Sequence, residues 1–377
     1  MHVALSDEQT MLSEAVHGLL GDRYDFAARR AAVTSDAGYS EDIWRALADD
    51  LGIFSMLAPS EEESPKFAVE QMVVMEAAGR SLCLEPIGET FVHGWLLGQC
   101  AGEMSAALLG RATHGDAVVG LAWAEQNMRD DFADIALKAV KDGDGWRLKG
   151  GKSAVICAPW SDALIVAARI GGECGDDDGI ALFLGPARAQ GMTMHGYATI
   201  DGRQAADIVF DDVRLDEKAM IAGPDRALDL LEAARDRAIA VQTAEATGLL
   251  DRLLADTVAY LQQRQQFGQT LASFQALQHR MVDMYLQCEL VRAAAWLAAL
   301  SLDGDARSRA HAASSAKATI GEACRFVGQN AVQLHGGMGM TDDLAIGHYF
   351  KRTTMIEGEW GSTDWHLGRL ARLAERN

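Results

Sequence analysis

A glycine-rich stretch near the C-terminus carries the clearest chemical signal in this sequence. Residues 333–340 read QLHGGMGM, so glycines occupy positions 336, 337 and 339. The preceding run, 308–332, is rich in alanine, and one glycine would suffice to end a helix there. Three glycines indicate that a ligand approaches the backbone closely, as a pyrophosphate or the edge of a flavin ring does. The alternative is a simple turn between two helices.

A second informative stretch lies earlier in the chain, where residues 264–279 read RQQFGQTLASFQALQH. Together the two stretches resemble the acyl-CoA dehydrogenase family. In that family an Arg-x-x-Phe-Gly-x-x-Leu-x-x-Phe-Gln signature joins two long antiparallel helices, and a Gln-x-His-Gly-Gly-x-Gly loop follows at a similar distance. The resemblance covers most of the chain and is strongest over residues 225–356.

The resemblance implies that the chain uses FAD, held between a β-domain and C-terminal helices, with the adenosine pyrophosphate reaching a neighbouring subunit. By motif, Arg264 pairs with the pyrophosphate, Phe267 packs near the adenine and Gln275 makes a hydrogen bond to it. A guanidinium suits this task because it binds phosphate oxygens bidentately. The groups expected to approach the same diphosphate from the other subunit are Gln333, Gly336 and Gly337. Arg264 and the two glutamines could instead be ordinary surface residues.

The half of the flavin site expected in the β-domain departs from the family pattern. Where relatives carry Thr-Glu-Pro-x-Ala-Gly-Ser-Asp, residues 124–131 read AEQNMRDD. Relatives place an aromatic residue and a hydroxyl against the isoalloxazine, but the matching positions here are Ala154, Val155 and Ile156. The resemblance therefore predicts that any flavin ring bound by this subunit is bound differently.

The catalytic base is the largest departure. The family removes an α-proton with a carboxylate, and a positioned base contributes about 10² to 10⁴ in rate. In the commonest subgroup this Glu stands 24 residues after the first glycine of the loop, and that position here is Trp360. Glu359 and Glu357 lie just upstream and are candidate bases, although a shift along a helical turn redirects a side chain.

A second subgroup places its base immediately before an Arg on the first long C-terminal helix. The pair Asp236 and Arg237 resembles this arrangement, two residues out of register and with a side chain one methylene shorter. Asp236 is therefore a third candidate base. The alternative for Asp236 is an exposed helix carboxylate.

The elements that must position these residues fall into three regions. Residues 1–115 show helical periodicity, beginning with a capping box over Ser6 to Gln9. Residues 116–222 change to short apolar or alternating segments separated by turn residues, which predicts a β-domain. Residues 223–377 are helical again, with a long helix over 227–263. We expect an α+β multidomain protein: an α-helical domain, a β-barrel-like middle domain and a C-terminal four-helix bundle.

Composition limits the partners. Subtracting 54 acidic from 34 basic residues gives a net charge of −20, which argues against nucleic acid. Coenzyme A phosphates would need a local basic patch, for which the candidates are Lys351 with Arg352, and Arg235 with Arg237. The six cysteines lack metal-ligand spacing and indicate reduced thiols. With no signal peptide or membrane-spanning stretch in sequence, we expect a cytoplasmic protein without a metal.

The chain keeps the motifs for the adenosine end of FAD, but its flavin-ring site is altered and the usual base is missing. In this combination it resembles the small (β) subunit of two-subunit acyl-CoA dehydrogenases such as the pimeloyl-CoA enzyme. The tail 359–367, EWGSTDWHL, is similar to that of these subunits, and Ser362 and Asp364 become further candidate contacts to FAD. The resemblance implies an acyl-CoA thioester substrate, a larger homologous partner in a heterotetramer, and electron-transfer flavoprotein as oxidant. The alternatives are a self-sufficient homotetramer using Glu359, Glu357 or Asp236, and a non-catalytic structural subunit.

Overall fold

The computed structural model describes residues 4–58 and 67–375. The contacts divide the chain into two compact units. The first comprises Met1–Ala32, Ser64–Cys83 and Asp236–Asn377, and the second comprises Val33–Glu63 and Leu84–Arg235. The division into domains 1–115, 116–222 and 223–377 remains a prediction.

The first unit is helical. Its elements are α1 (Asp7–Arg23), α2 (Phe26–Thr34, up to the boundary), α4 (Ala68–Arg80), most of α7 (Ala227–Gln263), α8 (Gln275–Ser301), α9 (Ala306–His335), α10 (Ala345–Gly358) and α11 (Thr363–Glu375). A short antiparallel hairpin, β9 (Gln265–Gln266) and β10 (Gln269–Thr270), follows α7. The core is an apolar cluster to which α7, α8, α9 and α10 each contribute, with Leu253, Val291 and Ile320 fully buried. Burying such a cluster is what stabilises long amphipathic helices.

The second unit is built on a sheet flanked by helices. The helices are α3 (Glu41–Arg45, continued by a π turn, Ala46–Asp50), α5 (Ile87–Gln99) and α6 (Glu103–Ala112). The strands are β1 (Val119–Ala122), β2 (Lys138–Asp142), β3 (Gly145–Ile156), β4 (Ala163–Arg169), β5 (Ile180–Pro186), β6 (Met192–Ala198), β7 (Gln204–Asp216) and β8 (Met220–Ala222).

These strands form one mixed sheet in the order β6-β7-β3-β2-β4-β5-β8, and β1 pairs in parallel with β4. The long β3–β7 pair is antiparallel, and its register shifts between Lys152 and Val155. Such a bulge redirects side chains locally. It falls on the segment expected to face a flavin ring.

The helical and sheet regions were predicted correctly, and the fold is that of an α+β multidomain protein. The capping box is confirmed: Ser6 Oγ accepts from Gln9 N–H, and the Gln9 side chain accepts from Ser6 N–H. The sequence did not indicate α2, β6, β8 or the hairpin. Residues 60–64 read SEEES, an acidic stretch for which the sequence predicts an exposed loop, and they lie outside the described residues.

Candidate functional site

The signature after α7 folds into a tight hairpin. Gln266 pairs with Gln269, which leaves Phe267 and Gly268 as the two turn residues. Both have positive φ, 56° and 79°, as a two-residue type I′ turn requires. This conformation is unfavourable for a bulky aromatic residue. Phe267 nevertheless occupies it with 89% of its surface exposed, which is the state of a side chain available to a ligand or partner.

The glycine-rich stretch begins where α9 ends. Gly336 has φ 63° and its N–H bonds to the Gln333 carbonyl, and a 3₁₀ turn then runs from Gly336 to Met340. A Cβ on Gly336 or Gly337 would have no neighbouring atom within 4 Å, whereas one on Gly339 would lie 2.9 Å from the Val332 carbonyl oxygen. Packing therefore accounts for glycine at 339. At 337 the open space on an exposed surface fits an approaching ligand.

Tyr260 and His335 bring these two segments to one end of the helical unit. Their rings are stacked with centroids 4.4 Å apart and an interplanar angle of 24°. Tyr260 lies one helical turn before Arg264, and His335 directly precedes Gly336. Arg264, Phe267, Gln275 and Gln333 are all exposed near these ends. One chain therefore presents both motifs on the same end of the unit.

The polar side chains at this end are available for a ligand. Within residues 4–58 and 67–375, the side chains of Arg264, Gln275 and Gln333 make no hydrogen bond or ion pair. An exposed guanidinium, two amides and an open glycine turn are groups that bind a diphosphate and an adenine. The donor set thus fits the adenosine end of FAD.

Trp360 occupies a left-handed backbone conformation. Its φ is 61°, and Gly361 follows with φ 106°. The indole is partly buried against an apolar cluster formed by α7, α8 and α9, which includes Ile239, Ala298 and Ala316. A bulky residue at positive φ costs about 1–3 kcal/mol, so its surroundings must hold it in place.

Glu359 is held by a network of buried polar groups. Arg352 donates to it through Nη1 and Nη2 at 2.7 and 3.2 Å, and Gln242 Nε2 donates at 2.6 Å. Arg352 also binds Glu245 through two nitrogens, at 2.6 and 2.8 Å. Lys317 donates to Gln242 Oε1 at 2.9 Å and to the Ile356 carbonyl, and burial lowers the Lys317 pKa to about 8. Both carboxylate oxygens of Glu359 are engaged.

Asp236 is the start of a second network. It is 1% exposed and accepts from Arg369 Nη1 at 2.7 Å and from Arg309 Nε at 3.2 Å. Arg369 also donates to Ser314 Oγ at 3.3 Å, and Ser314 bonds to His366 Nδ1 at 3.1 Å. The alternative of an exposed helix carboxylate is therefore wrong, because α9 and α11 both cover Asp236.

The second network ends at the backbone of Trp360. His366 Nε2 donates to the Trp360 carbonyl at 2.9 Å. A carbonyl only accepts, so Nε2 carries a proton, and Nδ1 lies within hydrogen-bond distance of the Ser314 hydroxyl. A Cβ at position 361 would come within 2.9 Å of His366 Nε2. Glycine at 361 therefore lets this imidazole reach the carbonyl.

The remaining tail candidates lie around the start of α11. Glu357 accepts from Thr363 N–H at 3.3 Å and Thr363 Oγ1 at 2.9 Å, and pairs with Arg325 at 3.2 Å. Ser362 Oγ accepts from Trp365 N–H at 3.2 Å. Asp364 is exposed in the first turn. These contacts give Glu357 and Ser362 a role in beginning the helix.

Two regions of the chain match described families. Residues 120–213 match the acyl-CoA dehydrogenase middle domain, and residues 232–374 match the acyl-CoA dehydrogenase C-terminal domain. The chain belongs to the acyl-CoA dehydrogenase family. It is accordingly an FAD-dependent oxidoreductase of the class that acts on CH–CH bonds, as the motifs at 264–279 and 333–340 predicted.

Individual relatives agree with this assignment. Acyl-CoA dehydrogenase FadE27 of Mycobacterium tuberculosis is 28% identical over 348 residues, covering 89% of each chain. Among solved structures, a variant of the Tcur3481-Tcur3483 steroid ACAD superposes with a TM-score of 0.87 at 29% identity, over 98% of each chain. The ChsE4-ChsE5 complex from Mycobacterium tuberculosis gives 0.88 at 24% identity over the whole of both chains, which shows the shared fold.

In the sheet unit, the positions that acyl-CoA dehydrogenases use against the flavin ring take other roles. Ala154 has φ 51°, and its N–H is taken by Asp207 Oδ1 at 2.9 Å. Val155 is buried in the sheet core. Glu125 accepts from the N–H groups of residues 136 and 137 and from Lys152 Nζ at 2.7 Å. These side chains offer a flavin neither an aromatic face nor a hydroxyl, so the ring end does not fit the family pattern.

The basic patches suggested for coenzyme A phosphates are not surface patches. Arg235 is fully buried, with its guanidinium 3.9 Å from the Phe132 ring centroid. Arg237 is mostly buried, and burial lowers its pKa to about 10. Arg352 is 3% exposed between two carboxylates, and Lys351 pairs with Asp342 at 3.2 Å. The expectation failed because helical periodicity does not show which charges a fold encloses.

Several other features concern cofactors and partners. All six cysteines are free, and three are buried. Among the described residues, no group of three or more His, Cys, Asp or Glu side chains could hold a metal. In the same residues no helix has the length and apolarity to cross a membrane.

Sequence reasoning missed four residues of the site because only their long-range contacts reveal their roles. They are Tyr260, Gln242, Ser314 and Arg369.

Proposed function

We propose that this chain is one subunit of a two-chain acyl-CoA dehydrogenase, similar to the small subunits of such enzymes. It binds the adenosine end of FAD and takes its catalytic carboxylate from a larger homologous partner. Two similar structures carry the names of two chains each, the Tcur3481-Tcur3483 steroid ACAD and the ChsE4-ChsE5 complex, which supports a heteromer. The proposed substrate is an acyl-CoA thioester.

On this proposal the exposed end of the helical unit binds the cofactor. Arg264 forms charge-assisted hydrogen bonds with the pyrophosphate, and the backbone N–H of Gly337 donates to the same oxygens, whose approach is left open by the absence of a side chain on Gly336. Phe267 packs against the adenine, while Gln275 and Gln333 supply amide hydrogen bonds. The Tyr260–His335 stack joins the two segments within one chain, which supports binding of the diphosphate by one subunit and not by the two expected from the family motifs. Bound FAD would supply the acceptor for the hydride that leaves the acyl chain.

The proposal that this subunit lacks a catalytic base of its own rests on Trp360 and the carboxylates near it. An indole cannot accept a proton from carbon, and it stands where the commonest subgroup has its base. Both oxygens of Glu359 and both of Asp236 are bound to cations or amide donors. If Glu359 or Asp236 turned towards a substrate to act as the base, Arg352 or Arg369 would lose its carboxylate partner inside the fold. Leaving a buried guanidinium unpaired costs free energy.

The α8 surface supports assembly with another chain. Apolar residues recur at helical spacing along its exposed side: Val282, Leu286, Leu290, Leu297 and Leu300, each 50–55% exposed. A contiguous apolar stripe of this kind marks a protein interface. We propose that it packs against C-terminal helices of other subunits in a tetramer. Electron-transfer flavoprotein as oxidant and a cytoplasmic location remain predictions.

The test is dye-coupled acyl-CoA oxidation by the complex formed with the homologous larger subunit. Trp360→Ala, Glu359→Gln and Asp236→Asn are compared with wild type, and flavin content and Tm are measured for each. We expect all three rates to remain within a few-fold of wild type per bound flavin.

A rate loss above a hundredfold in Glu359→Gln or Asp236→Asn, with flavin retained, would instead identify a base in this chain. Activity and yellow colour in the chain purified alone would support the self-sufficient homotetramer. An assembled complex without FAD would support the purely structural subunit.

A further inference from the structure

We propose that the stacked pair Tyr260 and His335 is a positioning element that makes the hairpin and the glycine turn act as one binding site. This inference rests on the proposed binding of the adenosine end of FAD by this chain. Neither ring is assigned a contact with the cofactor. Their role is to fix the distance between Arg264 and the glycine turn at Gly336 and Gly337.

The Tyr260 side of the pair is connected directly to the hairpin. Arg264 N–H donates to the Tyr260 carbonyl at 2.8 Å, so one helical turn separates the ring from the guanidinium. Leu271 N–H returns to the Arg264 carbonyl at 2.8 Å and closes the base of the hairpin. A displacement of the Tyr260 ring would therefore move Arg264 and the turn that carries Phe267.

The His335 side is connected to the glycine turn. Its ring is fixed by a hydrogen bond from Nδ1 to the Ala331 carbonyl at 2.8 Å, and the residue is 6% exposed. The acceptor is a carbonyl, so Nδ1 carries the proton. Gly336 follows immediately with its left-handed φ. The stack thus joins the last turn of α7 to the last turn of α9.

The apolar contacts beneath the stack would survive its loss. Leu261 and Leu334 belong to the main apolar cluster of the unit, which extends along α7 to α10, and Leu271 packs against it. Removing one ring should leave the helices packed but let the exposed segments move relative to each other. An aromatic pair is worth a few-fold to about tenfold in an equilibrium constant beyond its buried area. We expect the loss of one ring to weaken the affinity for FAD by this factor.

A double-mutant cycle on the complex with the larger subunit tests the inference. The variants are Tyr260→Leu, His335→Leu, their combination, and the ring-retaining Tyr260→Phe and His335→Phe. The measurement is the FAD dissociation constant, from flavin fluorescence after deflavination, with Tm measured in parallel. Ile320→Val is the control, because it trims the same apolar cluster about 22 Å along α9 from His335.

We expect each leucine variant to weaken FAD binding by about threefold to tenfold, with the double variant no weaker than either. The phenylalanine variants should bind within about twofold of wild type, and Ile320→Val should lower Tm without changing affinity. Additive losses, or wild-type affinity in Tyr260→Leu, would overturn the positioning role. A wild-type complex that binds no FAD would overturn the proposed function together with this inference.

Discussion

Arg352 binds Glu359 through two guanidinium nitrogens while it binds Glu245 through two contacts on its other side. Replacing Glu359 by Gln would keep one acceptor but remove a charge beside a buried guanidinium. We expect Glu359→Gln to lower the free energy of unfolding by about 1–3 kcal/mol, measured by urea denaturation. Glu322→Gln, an exposed position on α9, is the control. Equal stability in both variants would mean that Arg352 does not need this partner.

A second prediction concerns the crossing of α4 and α7. Cβ atoms built at Gly248 and Gly79 would overlap the carbonyl oxygens of Glu76 and Glu245, respectively. Since these obstacles are backbone atoms, we expect Gly248→Ala to destabilise the fold by about 1–3 kcal/mol. Gly21→Ala on α1, with no atom within 4 Å of the added carbon, should stabilise it by up to about 1 kcal/mol. The measurement is the Tm of each variant relative to wild type. Tm shifts of the same sign in both variants would contradict the close approach of α4 and α7 at these glycines.

Flavin occupancy provides a third prediction. Arg264→Ala should weaken FAD binding in the assembled complex by about tenfold to a hundredfold, because a charge-assisted hydrogen bond contributes about 1.5–3 kcal/mol. Lys138→Ala removes an equal charge from an exposed position on β2 and should leave affinity unchanged. The measurement is flavin absorbance after extensive dialysis. Flavin retained equally by both variants would show that Arg264 is not a ligand.

His348 predicts an acid-sensitive contact between α2 and α10. Its Nδ1 faces Arg29 Nη1 at 3.3 Å, and its Nε2 donates to the Asp342 carbonyl at 3.2 Å, so the neutral ring is required. Burial, with the nearby charges of Arg29 and Lys351, lowers the pKa of His348 below its usual 6.5. The stabilisation is therefore complete above about pH 6.5 and is lost as the pH falls through the lower folded pKa.

We accordingly expect the Tm advantage of wild type over His348→Phe to shrink between pH 7.5 and pH 5. Differential scanning calorimetry of the two proteins at several pH values measures this difference. An advantage that grew on acidification would mean that the ring is charged in the folded chain.

The α8 stripe predicts how the chain associates. Leu290→Glu and Leu297→Glu would place carboxylates on the apolar surface, and we expect either to reduce a tetramer to smaller species in light scattering. Leu367→Glu, at a similarly exposed position on α11, should leave the assembly intact. A wild-type protein that is a monodisperse monomer at micromolar concentration would remove the basis of this prediction.

Local patterns in the sequence predicted the elements well. The long helix over 227–263 was placed at both ends, and the glycine turn was placed at the end of α9. β6 was missed because its residues are mostly exposed and its apolar alternation is short, limited to Met192 and Met194 on the core side. The sequence left open an exposed Asp236, whereas the side chain is buried. The helices that cover it, α9 and α11, are far away in sequence. The left-handed Phe267 was also unforeseen, because asparagine or glycine is usual there.

The two networks around Trp360 have an evolutionary consequence. A change of Trp360 to Glu would place a third carboxylate near Glu359 and Glu245, whose shared Arg352 is already engaged, and would insert it where an indole packs against Ile239 and Ala298. A single codon change would thus impair folding before it supplied a base. A carboxylate at this position would be tolerated only after several coordinated substitutions around it.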